Sequence, residues 1–201
     1  MKRRAAAALA AGLISTALLL AGCASGDGIT NGYNSSDAGG NYVSGDGSVR
    51  TIAAADRAKP VAFSGTTASG TTVSNTDYAG KVLVVNFWYA QCPPCRSEAP
   101  TLQKLSQKYA DDDVAFLGVD IRDDAPQAIA FQKQFGVSYP SVIDNRGGGS
   151  MLLAFAGQVS PNTTPTTLVV DKQGRVAARF SGEVSGSILD TVITDTLGEK
   201  S

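Results

Sequence analysis

An apolar strand-like run, Val82-Leu83-Val84-Val85-Asn86-Phe87-Trp88, leads within a few residues into Cys92-Pro93-Pro94-Cys95, and a helix-like segment follows. No other feature constrains the chain as much. Two thiols two residues apart at a strand-to-helix turn have the layout of a dithiol/disulfide redox centre. A sulfur at a helix N-terminus lies near unpaired N–H groups and the positive end of the helix dipole. Such surroundings favour thiolate over thiol, and the thiolate is the nucleophile of disulfide exchange. Cys92, at the helix start, is read as the attacking and more exposed sulfur, and Cys95 as the one that resolves the mixed disulfide. Pro93 and Pro94 have no N–H. Stabilisation of a Cys92 thiolate must then come from the Cys95 N–H, the Cys95 thiol and the dipole, while the two prolines tune redox poise.

Around that junction the periodicity describes an α/β protein. Thr66 to Val73, broken by Gly70, reads as a hairpin. Leu102, Leu105 and Tyr109 recur at helical spacing after the Cys pair. Val114 to Asp120 is a second buried strand. Asp123 or Asp124 caps a helix striped by Ala128, Phe131 and Phe135 and ended by Gly136. Ser141 to Asp144 is a short strand, Gly147-Gly148-Gly149 a break, and Ser150 to Ala156 a short helix. Thr166 to Asp171 and Val176 to Phe180 flank a turn, and an amphipathic helix with Ile188, Leu189, Val192, Ile193 and Leu197 closes the chain. Strands alternating with helices argue one central mixed sheet flanked by helices. Asp111-Asp112-Asp113 is read as a solvated loop.

The chain has 201 residues, three cysteines and no histidine. Without histidine there is no Cys-His or Ser-His catalysis and no imidazole ligand for zinc, copper or haem. A zinc site needs about four ligands, so the Cys pair is not half of one. No cofactor or metal is expected. The formal charge is −1, which is not the balance of a general nucleic-acid binder.

The N-terminus reads as an address. Lys2-Arg3-Arg4 precedes an apolar stretch from Ala5 to Ala21, the pattern of a secretory signal. Leu20-Ala21-Gly22-Cys23 resembles the bacterial lipobox. That resemblance implies cleavage before Cys23 and lipid on its sulfur and new amine, and two or more acyl chains hold stably to a membrane. Cys92 and Cys95 would then be the only free thiols. From Ala24 to about Arg50 the chain is rich in Gly, Ser, Asp and Asn, with too few large apolar residues for a core. It reads as a flexible tether with a reach of about 30 Å. The expected organisation is a signal peptide over 1–22, a lipid-anchored linker over 23–56 and a folded domain over 57–201.

The segment from Val84 to Pro100, Val84-Val85-Asn86-Phe87-Trp88-Tyr89-Ala90-Gln91-Cys92-Pro93-Pro94-Cys95-Arg96-Ser97-Glu98-Ala99-Pro100, resembles the active-site stretch of the TlpA/ResA/DsbE group of thioredoxin-like proteins. The likeness extends from about Pro60 to Leu197. It implies a thioredoxin-like α/β fold with an N-terminal hairpin and an inserted β-α unit from Val114 to Phe135. It also implies a membrane-tethered, extracytoplasmic thiol–disulfide oxidoreductase acting on protein clients, apocytochrome c among them, with electrons from a membrane donor of the CcdA/DsbD type. A monomer is expected.

Further roles follow from the resemblance. Glu98 stands where the family carries a functional acid, although an acid near a helix N-terminus is also favoured by the dipole alone. Thr164-Pro165 is expected to be cis and to face the Cys pair, with Pro140 as its rival. Asn86 occupies the position of a buried Asp in thioredoxins and cannot titrate, which moves proton handling toward Glu98 or water. Trp88 and Tyr89 either shape the rim or pack in the core, and Arg96 is either a thiolate partner or an exposed helix side chain. The same site could instead run as an oxidant of exported proteins. Copper delivery, peroxidase chemistry and an inert structural disulfide are weaker readings.

Overall fold

The computed structural model describes residues 48–145, 150–160 and 162–199. The expected signal peptide, the lipidation site Cys23, most of the tether and the Gly147-Gly148-Gly149 break lie outside the described residues.

Among the described residues, eight strands and four α-helices follow in chain order. Strand β1 is Val49–Thr51, β2 Ser64–Thr66, β3 Thr72–Ser74 and β4 Val82–Trp88. Helix α1 is Pro93–Lys108, β5 Val114–Asp120, α2 Ala125–Phe135 and β6 Ser141–Ile143. Helix α3 is Ser150–Ala154, β7 Thr166–Val170, β8 Val176–Ser181 and α4 Gly186–Gly198. Six strands form one mixed sheet in the order β1-β8-β7-β4-β5-β6, and β2 pairs with β3 as a separate hairpin. Strands β4, β5 and β6 are parallel, whereas β7, β8 and β1 join them antiparallel. The α/β architecture, the hairpin and the inserted β-α unit are as the sequence implied.

Every residue of β4 is buried, because the sheet is covered on both faces. Its side chains alternate between two clusters, as strand geometry requires. Leu83, Val85 and Phe87 pack with Leu117, Val119, Met151, Phe155 and Leu168. Each such side chain stabilises the fold by about 1.5–3 kcal/mol. Asn86 and Trp88 point the other way, toward α1, where Trp88 joins Cys92, Cys95, Ala99, Ala128 and Phe131. A buried run from β4 thus holds one core with one set of residues and builds the site with the other. Gly136 ends α2 in the left-handed region, at φ 68°, as expected of a glycine cap.

One boundary differs from expectation. The sequence puts the linker over 23–56 and the domain over 57–201, but residues 49–51 already pair with the sheet. Val49, Arg50 and Thr51 lie opposite Phe180, Arg179 and Ala178 of β8. Val49 is buried, and the Ile52 N–H donates to the Ala177 carbonyl at 2.7 Å. Two apolar residues in a polar stretch give no readable periodicity. The strand forms because β8 offers an otherwise unpaired edge.

Candidate active site

The junction is built as its sequence suggests. Cys92 is the N-cap of α1, and the helix opens with Pro93 and Pro94, a residue type favoured in the first turn, where N–H groups have no partner. The first N–H the helix can offer therefore belongs to Cys95, and it points at Cys92 Sγ from 3.2 Å. The two sulfurs are joined in a disulfide, 2.07 Å apart, with Cα atoms 5.2 Å apart.

Cys92 was expected to be the more exposed sulfur, and here the structure corrects the reading. Cys92 is 1 % exposed and Cys95 2 %. With the disulfide closed, both belong to the apolar cluster of Trp88, Ala90, Ala99 and Phe131, against which Ala68 of the β2–β3 hairpin and Tyr89 also pack. The exposed neighbours are Gln91 and Pro93. A sequence places a cysteine at a helix start, but only tertiary packing decides what lies over it.

Glu98, one turn beyond Cys95 on the same helix face, is 1 % exposed. Its Oε1 accepts from Asn86 Nδ2 at 2.8 Å and its Oε2 from the Val184 N–H at 3.0 Å. Burial pushes its carboxyl up to about 7, against the pull of those two donors and with a small push from Glu183. Among the described residues no cation is paired with it. Asn86 also donates to Thr167 Oγ1 at 3.0 Å. Asn86 and Cys95 line one cavity of about 10 Å³ together with Trp88, Tyr139 and Ser141, at the lower limit for one water. Glu98 and Cys95 are thus both neighbours of Asn86. The polar residue inside an otherwise apolar strand was the signal for this arrangement. Its two acceptors could not be read from sequence.

The Thr164–Pro165 bond is cis. Strand β7 begins at the next residue, with Thr166 opposite Phe87 of β4. Continuing that register puts Pro165 level with Trp88, at the end of the sheet from which the chain leaves for Cys92. Trp88 is buried with its ring 4.2 Å from that of Phe131, so the core reading applies to it. Tyr89 is half-buried under the Arg122 guanidinium, 4.1 Å from its ring centre. Arg96 donates to the Ala90 carbonyl at 3.2 Å and lies over the Phe135 ring. Asp111, Asp112 and Asp113 are exposed.

The burial of Asp120 escaped the sequence reading, as did the reach of Asp123 to the Cys92 segment. The sequence offers Asp123 only as a candidate helix cap, and the N-cap is Asp124. Asp120 is fully buried. Asp123 accepts the N–H of Ala90, two residues before Cys92. A polar residue at a strand end reads as an ordinary turn, and nothing in the pattern shows which loop it faces.

Residues 53–193 match the Redoxin family. A thiol-disulfide oxidoreductase ResA of Geobacillus thermodenitrificans is 34% identical over 110 residues, which are 55% of this chain and 60% of that protein. This chain thus spans about three fifths of that relative's length. Among solved structures, a DsbF homologue from Corynebacterium diphtheriae is 33% identical, with a TM-score of 0.67 over 77% of this chain and 99% of its own. A secreted thiol-disulfide isomerase from Corynebacterium glutamicum is 30% identical, with a TM-score of 0.70 over 80% of this chain and 100% of its own. These neighbours have the thioredoxin-like α/β fold implied by the sequence.

Proposed function

Because this chain belongs to the Redoxin family, we propose that it is an extracytoplasmic thiol–disulfide oxidoreductase working through Cys92 and Cys95. The observation that carries this is the Cys pair at the start of α1, with the Cys95 N–H aimed at Cys92 Sγ. In the reduced protein the Cys92 thiolate attacks a client disulfide. A Cys92–client disulfide forms, and one client sulfur leaves as thiolate and takes a proton. Cys95 then loses its proton and attacks Cys92 Sγ, closing the intramolecular disulfide and releasing the second client thiolate. Two electrons pass to the client.

Glu98 is the proton acceptor for Cys95 in this scheme. A carboxyl at about 7 can both take and return a proton near neutral pH. Asn86 cannot titrate, so it orients the Glu98 carboxyl through its Nδ2 and passes no proton itself. The proton crosses by a water in the small cavity that Asn86 and Cys95 line. Pro165, level with Trp88, presents backbone to the client, which approaches along the exposed rim of Gln91 and Pro93 and parts the cover over Cys92.

The leader pattern supports export and lipid attachment at Cys23, with the Gly- and Ser-rich segment as tether. Electrons then come from a membrane donor of the CcdA/DsbD type, and apocytochrome c is a fitting client. Insulin reduction by the wild type, lost in Cys92→Ser, tests the activity. Cys95→Ser should accumulate mixed disulfides that the wild type releases. If it traps none, client reduction is wrong. A reduction potential near −270 mV, the thioredoxin value, fits the reductant, and one near −120 mV, the DsbA value, reverses the direction.

A further inference from the structure

We infer that Asp120 holds a proton that it donates to Asp123, and that the two act as positioning residues for Cys92, holding in place the segment from Trp88 to Gln91 that delivers it to the helix start. The functional sense of this inference depends on the exchange chemistry proposed above.

Strand β5 ends at Asp120, opposite Trp88 in the parallel register. Its side chain is fully buried. One oxygen, Oδ1, accepts the N–H groups of Arg122 at 3.1 Å and Asp123 at 2.9 Å. The other, Oδ2, is buried without a hydrogen-bond partner among the described residues. A buried carboxylate oxygen left without a donor forfeits the hydration it would have in water. The Asp123 carboxyl is among the groups that act on Asp120, and its Oδ2 is the acceptor for the Ala90 N–H. Two carboxyls within reach of each other cannot easily both ionise. A proton on Asp120 Oδ2, donated to Asp123, satisfies the orphan and leaves Asp123 free to accept from Ala90.

The surrounding charges do not offer another solution. Arg122 is turned onto the Tyr89 ring. Arg96, on α1, reaches the Ala90 carbonyl. The Asp144 carboxylate is committed to the Met151 and Leu152 N–H groups, and Asp124 to Asn145 Nδ2. Among the described residues no three acidic, cysteine or histidine side chains are grouped to hold a metal ion. Burial pushes the Asp120 carboxyl up to about 7, against its two backbone donors and helped by the Asp123 charge.

The segment before Cys92 is held at several points. Ile121 N–H donates to the Trp88 carbonyl at 3.0 Å, Asp123 takes the Ala90 N–H and Arg96 takes the Ala90 carbonyl. Loss of the Asp120 proton removes its hydrogen bond to Asp123 and slackens the hold on Ala90. The placement of Cys92 therefore depends on pH through groups that never touch sulfur.

The test is an NMR titration of the oxidised protein, following the side-chain carboxyl carbon of Asp120 and the amide of Ala90. Both should move with one midpoint near about 7. Asp120→Asn, whose amide donates permanently to Asp123, should abolish the Ala90 shift. Glu98→Gln should leave it in place. The inference is overturned if Ala90 stays still while Asp120 titrates, or if Asp120 titrates in the ordinary carboxylate range. It is overturned equally if the Ala90 shift survives Asp120→Asn and vanishes in Glu98→Gln. The wild-type titration stands even if the Asn variant does not fold. These signals need no client, so a protein inactive on insulin would remove the proposed function and leave the Asp120 proton standing.

Discussion

The two ends of the central sheet bury carboxylates in opposite ways. Beyond β7, at the end where β4 begins, Asp171 is 3 % exposed. Burial would push its carboxyl up, but the Arg175 N–H and the Arg57 and Arg175 guanidiniums outweigh it, and the net shift is down. Arg57 also pairs with Glu199 and donates to the Ile52 carbonyl at 3.0 Å. This cluster ties the segment after β1, the β7–β8 turn and the residue that follows α4 together. At the other end, where β4 finishes, Glu98 and Asp120 are buried as deeply and pushed up to about 7. Their hydrogen-bond donors are neutral: Asn86 Nδ2 and the Val184 N–H for Glu98, and the Arg122 and Asp123 N–H groups for Asp120. Desolvation is common to both ends, and the presence of guanidinium decides the sign. One end is built to stay ionised and hold chain segments. The other is built to keep protons available near neutral pH.

Breaking the far end should produce the largest effect. Asp171→Asn leaves Arg57 and Arg175 without their buried counter-charge and should cost about 3–5 kcal/mol, read as a lower urea midpoint at pH 7. If the loss is within experimental error, the cluster is not the clamp described here.

The next effect is pH-dependent and has opposite signs at the two ends. Glu98 has a folded-state pKa raised from 4.5 to about 7. The native protein therefore holds a proton that the unfolded chain has released, and stability falls as pH rises between those values. The fall is roughly 3 kcal/mol for a shift of that size. Asp171, with a lowered pKa, contributes stability above its unfolded value of 3.8 that is lost only on further acidification. Urea unfolding at pH 5 and pH 8 should show the decline in the wild type and a shallower one in Glu98→Gln. An unchanged slope would show that Glu98 is not the protonated group.

A purely steric change sharpens the contrast further. A Cβ on Gly118 would meet Ser141 Oγ at 2.2 Å and Trp88 Nε1 at 2.9 Å. Gly118→Ala should cost about 1–3 kcal/mol by overpacking and shift the emission of Trp88, the single tryptophan. An unshifted spectrum would mean that Ser141 alone gives way. The smallest effect belongs to Ser97→Ala. It removes an exposed hydrogen bond to Glu183 and should change stability by no more than about 0.5 kcal/mol in the same urea assay.

Much of this was legible in the sequence because the signals are local. The apolar run of β4, the Pro93-Pro94 helix start, the Gly136 cap and the turns between strands each depend on a few neighbouring residues. Glu98 was readable too, being one turn from Cys95. Its acceptor role toward Val184 was not, because 86 positions separate them. The β1 strand was missed for a similar reason, since its partner is β8. The accessibility of Cys92 was misread because the residues over it come from the hairpin, from β4 and from α2.

By itself the sequence determined the layered α/β fold and the placement of two cysteines at the opening of a helix, because backbone periodicity and prolines act over a few residues. Tertiary structure alone decided which carboxylates meet guanidinium and which meet only N–H groups or each other. That choice depends on which distant strands share an edge, since the dielectric and the charge partners of a buried acid come from segments far away in the chain.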